Sequence, residues 1–333
     1  MHQIASHLPD YDCWFSQIFS DSLIGKFLEK YTNVLKGTVM SQQCRENTEK
    51  YLRSYDLQID YKALRNKYDL VVFCSDMVIP SSLRYAKKIW VQEGMIDKMT
   101  LVSHLIKAFG LPTWLAGNTS LNGTTNLCDI YCTASPGYKQ ALSKMGADSD
   151  RIFVTGMPNY DNLRRFADND FPYRDYVMVA STDMRETFRY ENRPAFIKEA
   201  VKMADGRQIL FKLHPNENFA RAEAEIKKYA PAGTLIYHHG NTNEMIANCC
   251  ELITQYSTVV YTGIALGKKV HSWFDTEKLY RQMPIQNHGT SAENIAGICR
   301  DYVEFEGRGS AFLKEFKYQP AEIRQTVEEL IAS

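Results

Sequence analysis

The chain of 333 residues carries no excess of charge of either sign: Lys plus Arg and Asp plus Glu number 39 each. No global field therefore draws it to a polyanion, and nucleic acid is not an expected partner, although a local basic patch is compatible with a zero total. No run of about 18 or more apolar residues occurs, so no membrane-spanning helix is expected. The opening "MHQIASHLPDYDCWF" lacks the charged-then-apolar layout of a secretory leader, and the expected location is cytoplasmic. No C-x-x-C occurs among the eight cysteines. Cys74, Cys128 and Cys132 lie in apolar strand-like runs, and the adjacent Cys249 and Cys250 are poor partners for each other, so all eight are expected as thiols with no metal bound. Both G-x-x-x-x-G-K-[ST] and G-x-G-x-x-G are absent, which argues against P-loop kinases and the usual nicotinamide enzymes. No cofactor is expected.

What the chain does have is a series of short β-rich apolar runs, each followed by a turn and a helix-like segment. These are "DLVVFCSD" (69–76), "KKIWVQEG" (87–94), "CDIYCTAS" (128–135), "RIFVTGMP" (151–158), "DYVMVAST" (175–182), "QILFKLHP" (208–215), "GTLIYHHG" (233–240), "ELITQYST" (251–258) and "KKVHSWFD" (268–275). Such alternation predicts an α/β protein with parallel sheets. The length suits two domains with a cleft between them. The polar stretch "ADNDFPYR" is the best linker, giving domains 1–170 and 171–333. Residues 1–60 read as mostly helical with no opening strand. The final "PAEIRQTVEELIAS" reads as a helix with Pro at its first position, able to pack back on the first domain.

Ligands of open parallel sheets bind beyond the carboxyl ends of the strands, where loops and helix starts converge. In the second half those ends carry Ser181-Thr182-Asp183, then Lys212 and His214, then His238-His239, then Gln255 with Ser257-Thr258. Ser257 or Thr258 reads as the N-cap of a helix that ends near Gly267, and a helix start offers free N–H groups to a phosphate. Pro215 holds His214 extended, and His214 is read as a donor to the same phosphate. A strand-end histidine paired with a nearby carbonyl is the alternative; the Ser-Thr helix start tips the reading towards phosphate.

Asp183 and Glu93, each at the end of a strand in a different half, are the candidate pair of carboxylates for glycosyl chemistry. An N-cap role for Asp183 and a solvated turn for Glu93 stay open. Asp76 is a weaker candidate base that also suits a turn. Arg185 and Arg189 would share a helix face able to meet a phosphate or a sugar carboxylate, but with Arg193 they alternate with Glu186 and Glu191, which favours a solvated ion-paired face. Tyr138, Tyr160 and Tyr256 are candidates for stacking on a base or sugar.

"RIFVTGMPNYDNL", with Gly156, resembles the segment that closes the first domain of UDP-N-acetylglucosamine 2-epimerases and related GT-B glycosyltransferases. "KLHP" followed by "TQYSTVVYTGIALGKKV" resembles the His-Pro and Ser/Thr motifs of GT-B enzymes that use cytidine nucleotides: bacterial Kdo transferases, sialyltransferases and CDP-glycerol glycerophosphotransferases. The resemblance implies a GT-B fold of two Rossmann-like domains facing a central cleft. It also implies a metal-independent glycosyltransferase moving Kdo or a related acidic sugar from a CMP donor onto a bacterial surface glycan or glycolipid. Donor contacts fall to His214, Lys212, Ser257, Thr258, Gln255, Arg185 and Gly156, with Asp183 as nucleophile and Glu93 as acid/base. The chain departs from the epimerases, having "QYSTVVYTG" and "STDMRETFRYEN" where they carry Ser-Gly-Gly and His-Arg-Arg-Glu-Asn segments. A UDP-N-acetylglucosamine 2-epimerase and a CDP-glycerol glycerophosphotransferase remain the alternatives. A peripheral membrane contact, placed in the N-terminal 60 residues, and the oligomeric state are left open.

Overall fold

The computed structural model describes residues 1–22, 40–186 and 189–318. All nine apolar runs form strands: β3 (Leu70–Phe73), β4 (Lys87–Val91), β5 (Ile130–Thr133), β6 (Ile152–Val154), β7 (Tyr176–Ala180), β8 (Ile209–Lys212), β9 (Leu235–Tyr237), β10 (Cys249–Thr254) and β11 (Lys269–His271). Ahead of them, β1 (Trp14–Phe15) and β2 (Gln58–Ile59) make a small parallel pair in the stretch expected to be mostly helical with no opening strand. Among the described residues every strand pairing is parallel.

The chain forms two compact units that divide at Asn159 and Tyr160, ahead of the polar stretch expected to be the linker. The reason is local. Asp161 accepts the Asn287 N–H at 2.6 Å, the Leu163 N–H donates to Gln286 Oε1 at 3.1 Å, and Gln286 Nε2 donates to the Tyr160 carbonyl at 2.6 Å, so residues 160–163 are tied to the end of the second unit. Among the described residues, the chain from Gly289 to Tyr318 returns to the first unit and is not part of the second, as a boundary at 171 alone would have it. The expected helix in the final segment lies outside the described residues.

In the first unit the sheet order β3-β4-β5-β6 follows the sequence. Right-handed crossovers between strands so ordered all fall on one face, leaving the other bare. The return helix Ser291–Glu304 covers that bare face: Ile295, Ala296, Ile298, Cys299 and Tyr302 pack with Ile89, Val91, Ile130 and Cys132. On the opposite face Trp90 and Tyr131 lie under the 121–128 segment, which the buried Asp76 holds. Its carboxylate accepts from Gly123 N–H at 2.7 Å, Thr125 N–H at 3.1 Å, the Thr125 hydroxyl at 2.6 Å and the Tyr131 hydroxyl at 3.1 Å. Asp76 is therefore a loop clamp with its lone pairs engaged, which takes it out of the candidate bases; burial raises its pKa despite those bonds.

The second unit has the order β11-β10-β7-β8-β9. Its first strand is central and its connections run outwards both ways, so the topological switch lies between β7 and β10. Alternation decides the layers. Val177 and Val179 of β7 pack with Phe196, Ile197 and Ala200 of the helix Arg193–Ala204, while Tyr176 and Met178 pack with Met245 and Ile246 of the helix Thr242–Asn248. Both faces are covered, which is why β7 reads as an unbroken apolar run.

One residue breaks that pattern. Glu251 of β10 is buried, yet its carboxylate meets Arg207 Nη1 at 2.7 Å, Lys269 Nζ at 3.1 Å and the His271 ring. Burial pushes its pKa up, but these donors outweigh burial and hold it at about 2. Because the folded value is depressed from an ordinary 4.5, the stabilisation is complete above pH 4.5 and is lost as pH falls through about 2. Glu251→Gln should cost on the order of 2 kcal/mol at neutral pH, after allowance for the exposed Arg207 and Lys269. It should also flatten the acid limb, as urea titrations across pH 2 to roughly 7 would read.

Candidate functional site at the carboxyl edge of the second sheet

Side chains at the ends of β10, β7, β8 and β9 join in one hydrogen-bonded series. At the switch, Thr182 Oγ1 meets Gln255 Oε1 at 3.3 Å, both residues being buried. From β7 to β8, the Ser181 hydroxyl donates to Glu217, which also accepts the His214 N–H at 2.8 Å. From β8 to β9, Lys212 Nζ donates to the carbonyls of Leu213 at 2.9 Å and His238 at 3.1 Å. The strand ends are thus fixed relative to one another by buried polar groups that have found partners.

His214 faces outward from this base, about a third exposed. Its Nδ1 accepts the Asn216 N–H at 3.2 Å, so in the neutral ring the proton sits on Nε2. Among the described residues none accepts from that Nε2. Asp183 lies alongside: Oδ2 is 3.8 Å from His214 Nδ1 and accepts from Asn216 Nδ2 at 3.0 Å. The carboxylate and the imidazole named from the sequence are neighbours, and Asn216, which was not named, holds both.

Ser257 and Thr258 follow β10 on the same edge, but Thr258 does not cap the helix and the expected cap is reduced to one long contact from Ser257. Thr258 itself has helical angles, φ −68° and ψ −14°, with no side-chain cap, and Ser257 Oγ stands 3.5 Å from Val259 N. A cap needs an extended backbone to swing its oxygen over the first turn. Burial pushes the Tyr160 phenol up, and the Thr258 hydroxyl beside it pulls the other way. The result leaves the Ser257 and Thr258 N–H groups without partners among the described residues, at the positive end of a helical turn. Beside them stand two half-exposed rings, Tyr256 and Trp273, edge to face at 5.5 Å.

No protein-family model matches this chain, and no curated protein does. Among solved structures, a putative UDP-N-acetylglucosamine 2-epimerase from Listeria monocytogenes is similar with a TM-score of 0.51 at 14% identity, over 78% of this chain and 88% of that one. The fold is GT-B. A UDP-GlcNAc 2-epimerase from Neisseria meningitidis bound to UDP-GlcNAc gives 0.48 at 12% identity over 78% of this chain and 90% of that one. The wall teichoic acid polymerase TagF gives 0.46 at 13% identity over 91% and 93%. At such identities the likeness speaks to the fold.

On this GT-B frame several expected contacts fall elsewhere. Lys212 is buried with its ammonium turned to backbone carbonyls, and burial lowers its pKa against the pull of Glu217; it staples the edge rather than facing a ligand. Gln255 is likewise interior, its backbone carbonyl accepting from Trp273 N–H at 3.2 Å and the Ser272 hydroxyl at 2.9 Å. Arg185 is committed to Glu225 through two bonds of 2.8 and 2.9 Å, so its guanidinium is not a donor contact. No helix spans the described part of 183–192, so Arg185 and Arg189 share no helical face.

Nor is the arginine-glutamate alternation all solvated. Arg193 and Glu217 are each 1% exposed and 2.7 Å apart, with Glu191 also buried at 2.8 Å from Arg193 Nε. Tyr138 is core. In the first unit, Gly156 takes φ +83° at the end of β6 and donates to the Thr133 carbonyl at 3.2 Å, which accounts for glycine in that turn. Glu93 is exposed at the end of β4, next to Cys74, whose thiol is pushed up to about 12 by burial and by Glu93. Two cavities of about 600 and 760 Å³ also lie in the first unit, beside β3 and β2.

Proposed function

We propose that this chain is a nucleotide-sugar-dependent glycosyltransferase whose second unit holds the donor at the switch between β7 and β10. His214 Nε2–H and the Ser257 and Thr258 N–H groups bind the donor phosphate, and Tyr256 with Trp273 offers a stacking face to the base. The observation that carries the reading is the juxtaposition of Asp183 and His214, with 3.8 Å between Oδ2 and Nδ1. The anomeric carbon is one bond from the leaving phosphate oxygen. A carboxylate beside the phosphate-binding imidazole is therefore beside the reacting centre, where it can attack or stabilise it.

Leaving-group charge is met by an N–H donor from imidazole and by helix-start amides, a form of stabilisation that needs no proton transfer. We take the donor to be cytidine-linked, CMP-Kdo first, with transfer to a surface glycan or glycolipid and Glu93 as acid/base. CDP-glycerol and UDP-N-acetylglucosamine are the next donors to examine. The test is nucleotide release from each donor with and without acceptor oligosaccharide. Acceptor-dependent release of CMP is the expected result. Conversion of UDP-N-acetylglucosamine without any acceptor would replace the transferase by an epimerase.

A further inference from the structure

We propose that the outward face of the helix Leu101–Phe109, with the turn after it, docks on an anionic lipid surface. The helix is built the wrong way round for a water-soluble body. Leu101 is 84% exposed, Val102 53%, Leu105 55% and Phe109 73%. At about 100° per residue these four share an arc of roughly 100°, a continuous apolar stripe. Leu111 and Leu115, each 46% exposed, extend it beyond the helix.

The inner face is held largely by polar contacts. Ser103 bonds to Ser120 at 2.7 Å between hydroxyls, Thr100 and Ser103 form a reciprocal capping box, and Lys107 Nζ donates to the Met145 carbonyl. Gly110, at φ +61°, closes the helix. Folding thus accounts for the inner face and leaves the outer leucines and phenylalanine unexplained. Exposed apolar stripes of this extent mark contact surfaces.

Charge selects the occupant. Residues 98–128 include no Asp or Glu, while Lys98 stands just ahead of the stripe and His104 beside it. The nearest preceding carboxylate, Asp97, is engaged by the Thr119 N–H at 3.0 Å and by its hydroxyl at 2.8 Å. An apolar stripe with a lysine at its start, in a stretch of chain without carboxylates, suits the headgroup boundary of an anionic leaflet, which takes up such a face in-plane. Among the described residues no helix is long and apolar enough to cross a membrane, so the contact is with a surface. The inference stands apart from the donor assignment and would survive its failure.

The test is co-sedimentation of the full chain with phosphatidylcholine vesicles, with and without phosphatidylglycerol, at low and physiological salt. The expected result is binding to the phosphatidylglycerol vesicles, weakened at least about ten-fold in Leu105→Glu/Phe109→Glu. Lys98→Glu, which leaves the helix sequence intact, should weaken it several-fold. Unchanged far-ultraviolet circular dichroism and Tm would show that the variants fold. Failure of the wild type to bind those vesicles would overturn the proposal, as would equal binding by wild type and the double variant. A lipid-free dimer that the double variant turns into a monomer, without vesicle binding by either, would assign the face to a second copy.

Discussion

Asp183→Ala should lower turnover by three orders of magnitude or more and leave nucleotide affinity within a few-fold of wild type, on the order of the losses seen when a nucleophile is removed. Two features predict the separation. The phosphate contacts of the proposed site come from His214 and the Ser257 and Thr258 amides, none of which is Asp183. His214 also keeps its backbone anchor to Glu217 at 2.8 Å and its Nδ1 contact to Asn216 at 3.2 Å without Asp183. Single-turnover assays on a saturating donor would separate chemistry from binding. Turnover near wild type would remove Asp183 from the chemistry. A loss confined to KM would make it a positioning residue for His214 and Asn216.

The second large effect concerns stability. Arg193→Ala should destabilise the second unit by about 3–5 kcal/mol and lower Tm by on the order of 10 °C. Arg193 and Glu217 are each 1% exposed and paired at 2.7 Å, and Arg193 also donates to the Thr182 carbonyl at 3.0 Å. Removing the guanidinium leaves the buried Glu217 without its cation and Glu191 with Arg185 Nε alone, at 3.5 Å, and the cost of leaving such charge unpaired exceeds the modest net value of the pair. Since Glu217 anchors His214 N–H and the Ser181 hydroxyl, the same variant should loosen the donor edge. Calorimetric unfolding checks the first claim. A Tm within about 2 °C of wild type would mean that solvent reaches the cluster and screens it.

The sheets were legible because parallel strands covered on both faces announce themselves as apolar runs: β7, "YVMVA", is buried throughout. The pair Asp183 and His214 was legible because strand-end polar residues of one parallel sheet must share an edge. What local pattern did not carry was who pairs with whom. "RETFRYENRP" reads as a solvated charge run, yet its Arg193 and Glu191 are buried while Arg185 meets a partner forty positions away at Glu225. Lys212 and Gln255 were placed on the correct edge, but which way a side chain turns there depends on the carbonyls of neighbouring strands. The return helix escaped the boundary at 171 because its reason lies in sheet order, which leaves one face of β4 and β5 uncovered, and no linker composition reports that. Asn216 and Trp273 were visible as "HPN" and "SWF" beside strand ends, a signal that could have put them on the site.

The central claim is that His214 and the amides after β10 hold a donor phosphate. Isothermal calorimetry with CMP, CDP and UDP on the wild type and on His214→Ala addresses it most directly. The account predicts saturable binding, tightest for a cytidine nucleotide, weakened about ten-fold or more when the imidazole donor is lost, which corresponds to roughly 1.5 kcal/mol or more for one hydrogen bond to a charged group. Binding that His214→Ala leaves unchanged, or no binding of any nucleotide by a folded wild-type chain, would contradict it.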